Sequence, residues 1–449
     1  LIRQFYHRLF WKKENIVSLA WFRILFGILM LFGVMRFAHK GWIEDLYITP
    51  KFFFTYYGFD WVTPLSSTGM YITFLVMGIS ALLIALGLFY RVSAILFFLS
   101  FTYVELIDKT NYLNHYYFIS LVAFLLIFVP ANKNYSLDAK LGLTKAASSV
   151  PAWTINIFKF QLGVVYFFAG VAKVNYHWLF EAQPLINWLK HQSDLPVLGQ
   201  FVGENWIAFV FSWAGCLFDL SVPFLLSIRK TRLFAYLAVI FFHVVTGAMF
   251  PIGIFPWAMI VLTTVFFSTR FHNLLLSKLQ VSSVGQNTIQ IRSITKYALI
   301  IYILLQLLIP MRYLLYPGKL FWTEQAFRFG WRVMLIEKVG YCTFYVSPES
   351  GSYKKIIEPT YYLTEQQLKQ MSTQPDMILQ FAHHLRDQYK DKTIIEGDLE
   401  IEMGTPQVFV DSKVSLFNKG SRTFIDPSVD LAAQPYNLAP RNWILPYEE

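Results

Sequence analysis

The run Gln161-Leu-Gly-Val-Val-Tyr-Phe-Phe-Ala-Gly-Val-Ala-Lys173 is apolar almost throughout and stops on a lysine. With the residues before it, from Trp153, it forms a block of about 20 residues, the length that crosses the hydrocarbon core of a bilayer as a helix. A lysine at that border has two readings. It is an interfacial anchor whose stem lies on apolar surface while the ammonium reaches water, or it is a desolvated amine able to act as a base. A second run, Asp108-Lys-Thr-Asn-Tyr-Leu-Asn-His115, closes another apolar block. It either caps two helices, a task that suits Asp, Thr and Asn, or carries functional side chains.

The composition agrees with a membrane protein. The 449 residues are 55% hydrophobic, 18% aromatic and only 15% charged, whereas soluble domains carry about 25% charge. Nine apolar blocks predict nine spans, near 16–37, 70–88, 92–107, 116–130, 153–173, 205–228, 233–250, 254–269 and 296–316. The blocks at 92–107 and 116–130 are short, so tilting or dipping is expected there. The first block is long enough to span and is followed by others, which reads as a span and not as a cleaved signal. Residues 1–13 read as a basic amphipathic helix on the cytoplasmic surface.

The formal charge of +10 sits unevenly. Residues 1–316 hold 24 Lys and Arg against 11 Asp and Glu, and residues 317–449 hold 14 against 17. Alternate connections are basic: the N-terminus, Arg91, the 131–151 loop, Arg229 to Arg232, and the 270–296 loop. The positive-inside rule then puts the N-terminus in the cytoplasm and, after nine spans, the C-terminus outside. Nucleic acid is not needed to explain the basic balance. On this topology His115, Lys173 and the stretch from His243 to Pro256 reach the same outer face.

Residues 317–449 lose the long apolar blocks and read as an α+β domain following a membrane domain of residues 1–316. Strands are expected at Arg332–Glu337, Thr343–Val346 and within Glu400–Phe417. Thr364–Tyr389 reads as two short helices parted by Pro375.

Ionisable groups inside spans are costly and usually have a reason. Arg23 and Lys159 lie near cytoplasmic ends and are expected to snorkel. Asp219 reads as a structural partner for a buried base or as a helix cap, and His243 as a hydrogen-bonded core histidine or a pocket residue. Cys216 and Cys342 give neither a disulfide framework nor a metal pattern. The chain has no His-Glu-x-x-His, Gly-rich phosphate loop or clear nucleophile motif. An amine, an imidazole and many aromatic rings at a membrane border suit an amphiphilic, proton-bearing lipid such as a quinol.

The motifs as a set resemble the vitamin K-dependent γ-glutamyl carboxylase family, whose membrane part is the HTTM domain. The resemblance rests on Asp108 to His115 and Tyr166 to Lys173. It is supported by Leu86-Gly-Leu-Phe-Tyr-Arg-Val-Ser93, Phe218-Asp-Leu-Ser221, Phe250-Pro-Ile-Gly-Ile-Phe255, Trp322-Thr323, Gly330-Trp331 with Met334, and Phe424-Ile-Asp-Pro-Ser-Val-Asp430. These keep the family's order over nearly the whole chain.

The resemblance implies a reaction. A lysine deprotonates reduced vitamin K, oxidation by O2 turns the quinol into a strong base, and that base removes a γ-proton from a peptide glutamate. The carbanion takes up CO2, and the quinol leaves as an epoxide. The catalytic lysine falls on Lys173, preceded by Ala172 where vertebrate enzymes carry another lysine. The histidine linked to carboxylation falls on His115. Asn114, His243, Phe250, Trp331 and Met334 are implied for the quinone or glutamate pocket, with Asp108, Lys109 and Asp219 in support and no metal. The animal enzymes extend past the residues matching Trp443 to Glu449. Substrate recognition is therefore expected to be reduced or different here, in a bacterial-type member facing the periplasm and using a menaquinol-type naphthoquinol. Two alternatives are a quinol epoxidase or oxidase that carboxylates no protein, and a non-enzymatic membrane receptor or assembly protein.

Overall fold

A computed structural model describes Phe10 and residues 12–192, 199–280, 293–351, 353–397 and 399–448. The helix expected over residues 1–13 falls almost wholly outside these. Its end, Lys13–Asn15, pairs antiparallel with Ser149–Pro151, which brings the start of the chain and the 131–151 connection to one side.

A bilayer leaves backbone N–H and C=O groups no water to bond, so the apolar blocks fold as helices. They are α1 (Val17–His39), α2 (Ser67–Leu86), α3 (Tyr90–Ile107), α4 (Asn114–Phe128), α5 (Trp153–Lys173), α6 (Asn205–Ser227), α7 (Arg232–Met249), α8 (Phe255–Thr263) and α9 (Ser293–Leu308). Among the described residues seven helical segments are long and apolar enough to cross a membrane, the last running on to Leu315. The α4 helix has 15 residues and is shorter than a full crossing. After Phe266 the chain turns by 113° into Thr269–Leu279, and counting that bent pair as one span makes eight. The bend is pinned by His272, whose ring nitrogens meet the Ser18 hydroxyl at 2.9 Å and the Thr264 carbonyl at 3.1 Å.

Small residues let the helices touch backbone to backbone. A Cβ on Gly27 of α1 would lie 2.5 Å from the Ala85 nitrogen of α2, and one on Gly170 of α5 would lie 2.7 Å from the Leu220 nitrogen of α6. Arg23 does not snorkel. It is fully buried, and its Nη2 donates to the Tyr135 carbonyl at 2.6 Å.

The second part of the chain forms a four-stranded antiparallel sheet of β1 (Lys338–Ser347), β2 (Lys355–Ile357), β3 (Gln407–Leu416) and β4 (Ser421–Thr423) in the order β2-β1-β3-β4. Two helices cover it, α10 (Glu365–Met371) and α11 (Pro375–Tyr389). Thr364 and Gln367 form a capping box on α10, and Pro375 starts α11, so the two-helix reading follows from local chemistry. Phe344, Val410 and Val414 of the sheet bury against Phe381 and Leu385 of α11. Arg332–Glu337, expected as a strand, is irregular. Trp331 and Met334 have φ of 57° and 55°, which a pleated strand does not allow.

The first long connection crosses into this domain, where Phe54 is fully buried. The Asp108 carboxylate accepts from the Thr110 backbone at 2.9 Å and from Gln367 Nε2 of α10 at 2.7 Å. Lys109 Nζ, almost fully buried, lies 2.9 Å from Asp376 of α11, and Arg328 Nη1 lies 2.8 Å from the same carboxylate oxygen. Burial alone would raise the Asp376 carboxyl, but Arg328 and then Lys109 outweigh it and hold it well below the usual carboxylate range. A depressed carboxyl stabilises the fold above the ordinary aspartate value of about 3.9, and that stabilisation fades as pH falls through the folded value. Asp376→Asn strands two buried cations and is expected to cost about 3 kcal/mol. In thermal melts of the purified protein the wild type should lose stability below about pH 4, and the Asn variant should start lower and respond less to acid.

Candidate functional site

Lys173 ends α5 and does not reach solvent. It is 5% exposed, and its Nζ lies 2.7 Å from Asp219 Oδ2 on α6. The contact follows from the close approach at Gly170: one turn further along α5, Lys173 faces the residue just before Leu220. Gly215, one turn back on α6, lies beside the lysine stem. Trp178 covers the ammonium, with Nζ 5.3 Å from its ring centre. The apolar approach to Lys173 is thus only half of its environment, and the Asp219 carboxylate is the other.

The pair lies on the wall of a narrow, strongly apolar chamber. The other walls include Phe242, Phe250, Phe255 and Met334, together with His243 of α7. His243 Nε2 meets the Tyr166 hydroxyl at 3.0 Å, and its Nδ1 has no protein partner among the described residues. His243 is therefore hydrogen-bonded and also on a pocket wall. The chamber is a strongly apolar space with a buried ion pair and one imidazole nitrogen that has no partner among the described residues.

His115, in the first turn of α4, lies in a second and larger cavity of about 1490 Å³, with Arg36, Trp42 and Tyr116 nearby and Gln366 and Gln370 of the outer domain at its edge. The two cavities share Ile252, Phe255, Val333 and Met334. Phe255 stacks on His115 with ring centres 5.5 Å apart and meets the His243 ring edge-on at 5.7 Å. Lys173 and His115 therefore line neighbouring cavities, with Phe255 in their shared wall.

The remaining predicted residues fall into different places. Phe250 and Met334 line the Lys173 chamber. Asn114 donates to the Arg332 carbonyl at 2.9 Å and so holds the segment above the chambers. Trp331 is buried against Tyr117, ring centres 4.9 Å apart, and lines neither chamber. Asp108 and Lys109 belong to the junction with the outer domain. Sequence reasoning gave no role to Trp178 or to Phe255 as a partition, although Tyr166 and Phe255 stand inside the motifs it quoted.

Apolar helices that cross a membrane, a buried ion pair at their outer ends and a sheet domain set over two cavities define an integral membrane protein with a membrane-embedded site. The HTTM domain model matches residues 11–271, and the model of the vitamin K-dependent gamma-carboxylase lumenal domain matches residues 291–449. The first covers more than half of the chain. The chain belongs to the HTTM family, as a carboxylase-like membrane protein whose C-terminal part is the lumenal-type domain. No solved structure matches it.

The ion pair can be tested without any turnover. Asp219→Ala leaves a buried ammonium alone and is expected to cost about 3 kcal/mol. Replacing both partners, Lys173→Met with Asp219→Leu, should recover most of that loss in thermal melts. Additive losses in the double variant would show that the two side chains are not paired.

Proposed function

We propose that the chain is a γ-glutamyl carboxylase that couples epoxidation of a reduced naphthoquinone by O2 to γ-proton removal and CO2 addition on a peptide glutamate. The observation that carries the reading is the pair of chambers with Phe255 in their shared wall. Such a reaction needs a dry room in which a strong base is made and a second, more open room in which it is used.

The Lys173 chamber suits a naphthoquinol by its apolar and aromatic wall and by the His243 Nδ1, which has no protein partner among the described residues. Bound quinol supplies, on oxidation by O2, a base strong enough for a γ-proton that no side chain can remove. The chain's own tasks are smaller. Lys173 takes the proton of a quinol hydroxyl once its own extra proton has left, and so returns to the ammonium that Asp219 holds at 2.7 Å. With the Tyr166 hydroxyl donating to His243 Nε2, that ring carries its own proton on Nδ1 and offers a donor to the chamber. The aromatic wall keeps water from quenching the base. In the second room His115 stabilises the glutamate carbanion and orients CO2. Peptide enters from the side of Gln366 and Gln370.

The N-terminus is then cytoplasmic and the sheet domain extracytoplasmic, in a bacterial inner membrane with the periplasm on the outer side. The match of the C-terminal part to a lumenal domain supports this orientation. A menaquinol-type lipid is the quinol such a membrane offers.

The test is purified protein supplied with reduced naphthoquinone, O2, labelled bicarbonate and a Glu-rich peptide. Lys173→Ala should abolish both epoxide and carboxylated product, while His115→Ala should lower carboxylation at least tenfold more than epoxidation. Full epoxidation by Lys173→Ala would refute the base assignment. Epoxide without label in peptide would leave a quinol epoxidase, and no quinol-dependent oxygen uptake would leave a receptor or assembly protein. Phe255→Trp should thicken the partition and let epoxidation run ahead of carboxylation, read as the ratio of the two products.

A further inference from the structure

A groove outside both chambers runs along the opposite face of α5, between that helix, the end of the last span and the outer domain. Its floor is apolar and comes from membrane segments: Phe167 and Val171 of α5, and Met311 beyond α9. These three are exposed in the isolated chain, at 37%, 38% and 48%. Its outer rim is basic, with Lys319, Arg422 and Arg332. Lys419 also lies there, and it is neutralised by Glu181 at 2.6 Å.

Arg332 is the informative residue. It is only 5% exposed, yet its guanidinium is poorly satisfied. Nη2 reaches the Pro310 carbonyl at 3.4 Å, and Nη1 has no partner among the described residues. The plane is held over the Tyr313 ring at 4.4 Å. A buried, unpaired donor on a cation costs free energy and normally marks a missing partner. Nothing in either chamber uses this group, since both stop at Val333 and Met334.

We propose that the groove holds an anionic glycerophospholipid from the leaflet on the outer-domain side. Its phosphate would accept from Arg332 Nη1, with Arg422 at the rim, and an acyl chain would lie on Phe167, Val171 and Met311. The site combines what such a lipid needs: positive charge at headgroup level directly above an apolar trough that faces the bilayer. Free phosphate would leave the trough uncovered, and a zwitterionic lipid brings no net charge to Arg332 and Arg422. The proposal is independent of the catalytic reading.

The experiment is a thermal-shift titration of delipidated protein in detergent with dioctanoyl phosphatidylglycerol. Dioctanoyl phosphatidylcholine and inorganic phosphate serve as the comparison ligands. Phosphatidylglycerol should raise the melting midpoint saturably, phosphatidylcholine should bind about tenfold more weakly, and phosphate alone should have little effect. Arg332→Gln should weaken phosphatidylglycerol about tenfold, the size of one charge-assisted contact. Should Arg332→Gln fail to fold, Val171→Trp fills the trough from an exposed helix face and should weaken the lipid equally. Equal response to both lipids, a full shift with phosphate alone, or unchanged binding in the folded variants would overturn the proposal.

Discussion

An ammonium group enclosed by aromatic rings has to find an anion, and Lys173 finds Asp219 at 2.7 Å. Much of the membrane part is arranged to make that contact possible. α5 and α6 approach so closely at Gly170 that a methyl group there would strike the Leu220 backbone. Trp178 closes over the ammonium. The same rule governs the junction with the outer domain, where Asp376 answers Lys109 and Arg328 together.

The helices were legible because a hydrocarbon solvent writes itself into sequence as length and apolarity. What lies between them was less so. Hydropathy is blind to direction, and so the block near 254–269 gave no sign of a 113° turn. The run Arg332–Glu337 looked like a strand because its residue types suit one. A carbonyl held by Asn114 and two left-handed residues decide otherwise. The run Asp108 to His115 was open between capping and function, and both halves of that choice hold in part. Asp108 caps and docks, Lys109 docks, Asn114 tethers, and the residues from Thr110 to His115 line a cavity. Consecutive residues at a helix-to-helix corner point in different directions, and one-dimensional spacing does not carry that information. Asp219 was seen as a possible partner to a buried base, but 46 residues separate it from Lys173. Only helix packing reveals the distance between them.

The segment over the chambers depends on the outer domain in a way that neither part shows alone. Between residues 324 and 334, five non-glycine residues have positive φ: Glu324, Ala326, Phe329, Trp331 and Met334. Each such residue costs about 1 kcal/mol or more and persists only where its surroundings over-determine it. Here the constraints come from both sides. Tyr112 accepts from the Phe329 backbone at 2.7 Å, Asn114 holds the Arg332 carbonyl, and Arg312 donates to the Arg328 carbonyl. From the outer domain, Asp376 fixes Arg328, and Glu324 pairs with Lys338 at 3.0 Å. Met334 and Val333 close both chambers at the end of this strained stretch. Loosening the Lys109–Asp376–Arg328 cluster would remove constraint from the roof first, because strained backbone relaxes where its restraints are released. A charge cluster remote from Lys173 thus helps to hold the strained roof over both cavities, which is a physical reason for a membrane-embedded site to carry a sheet domain beside it.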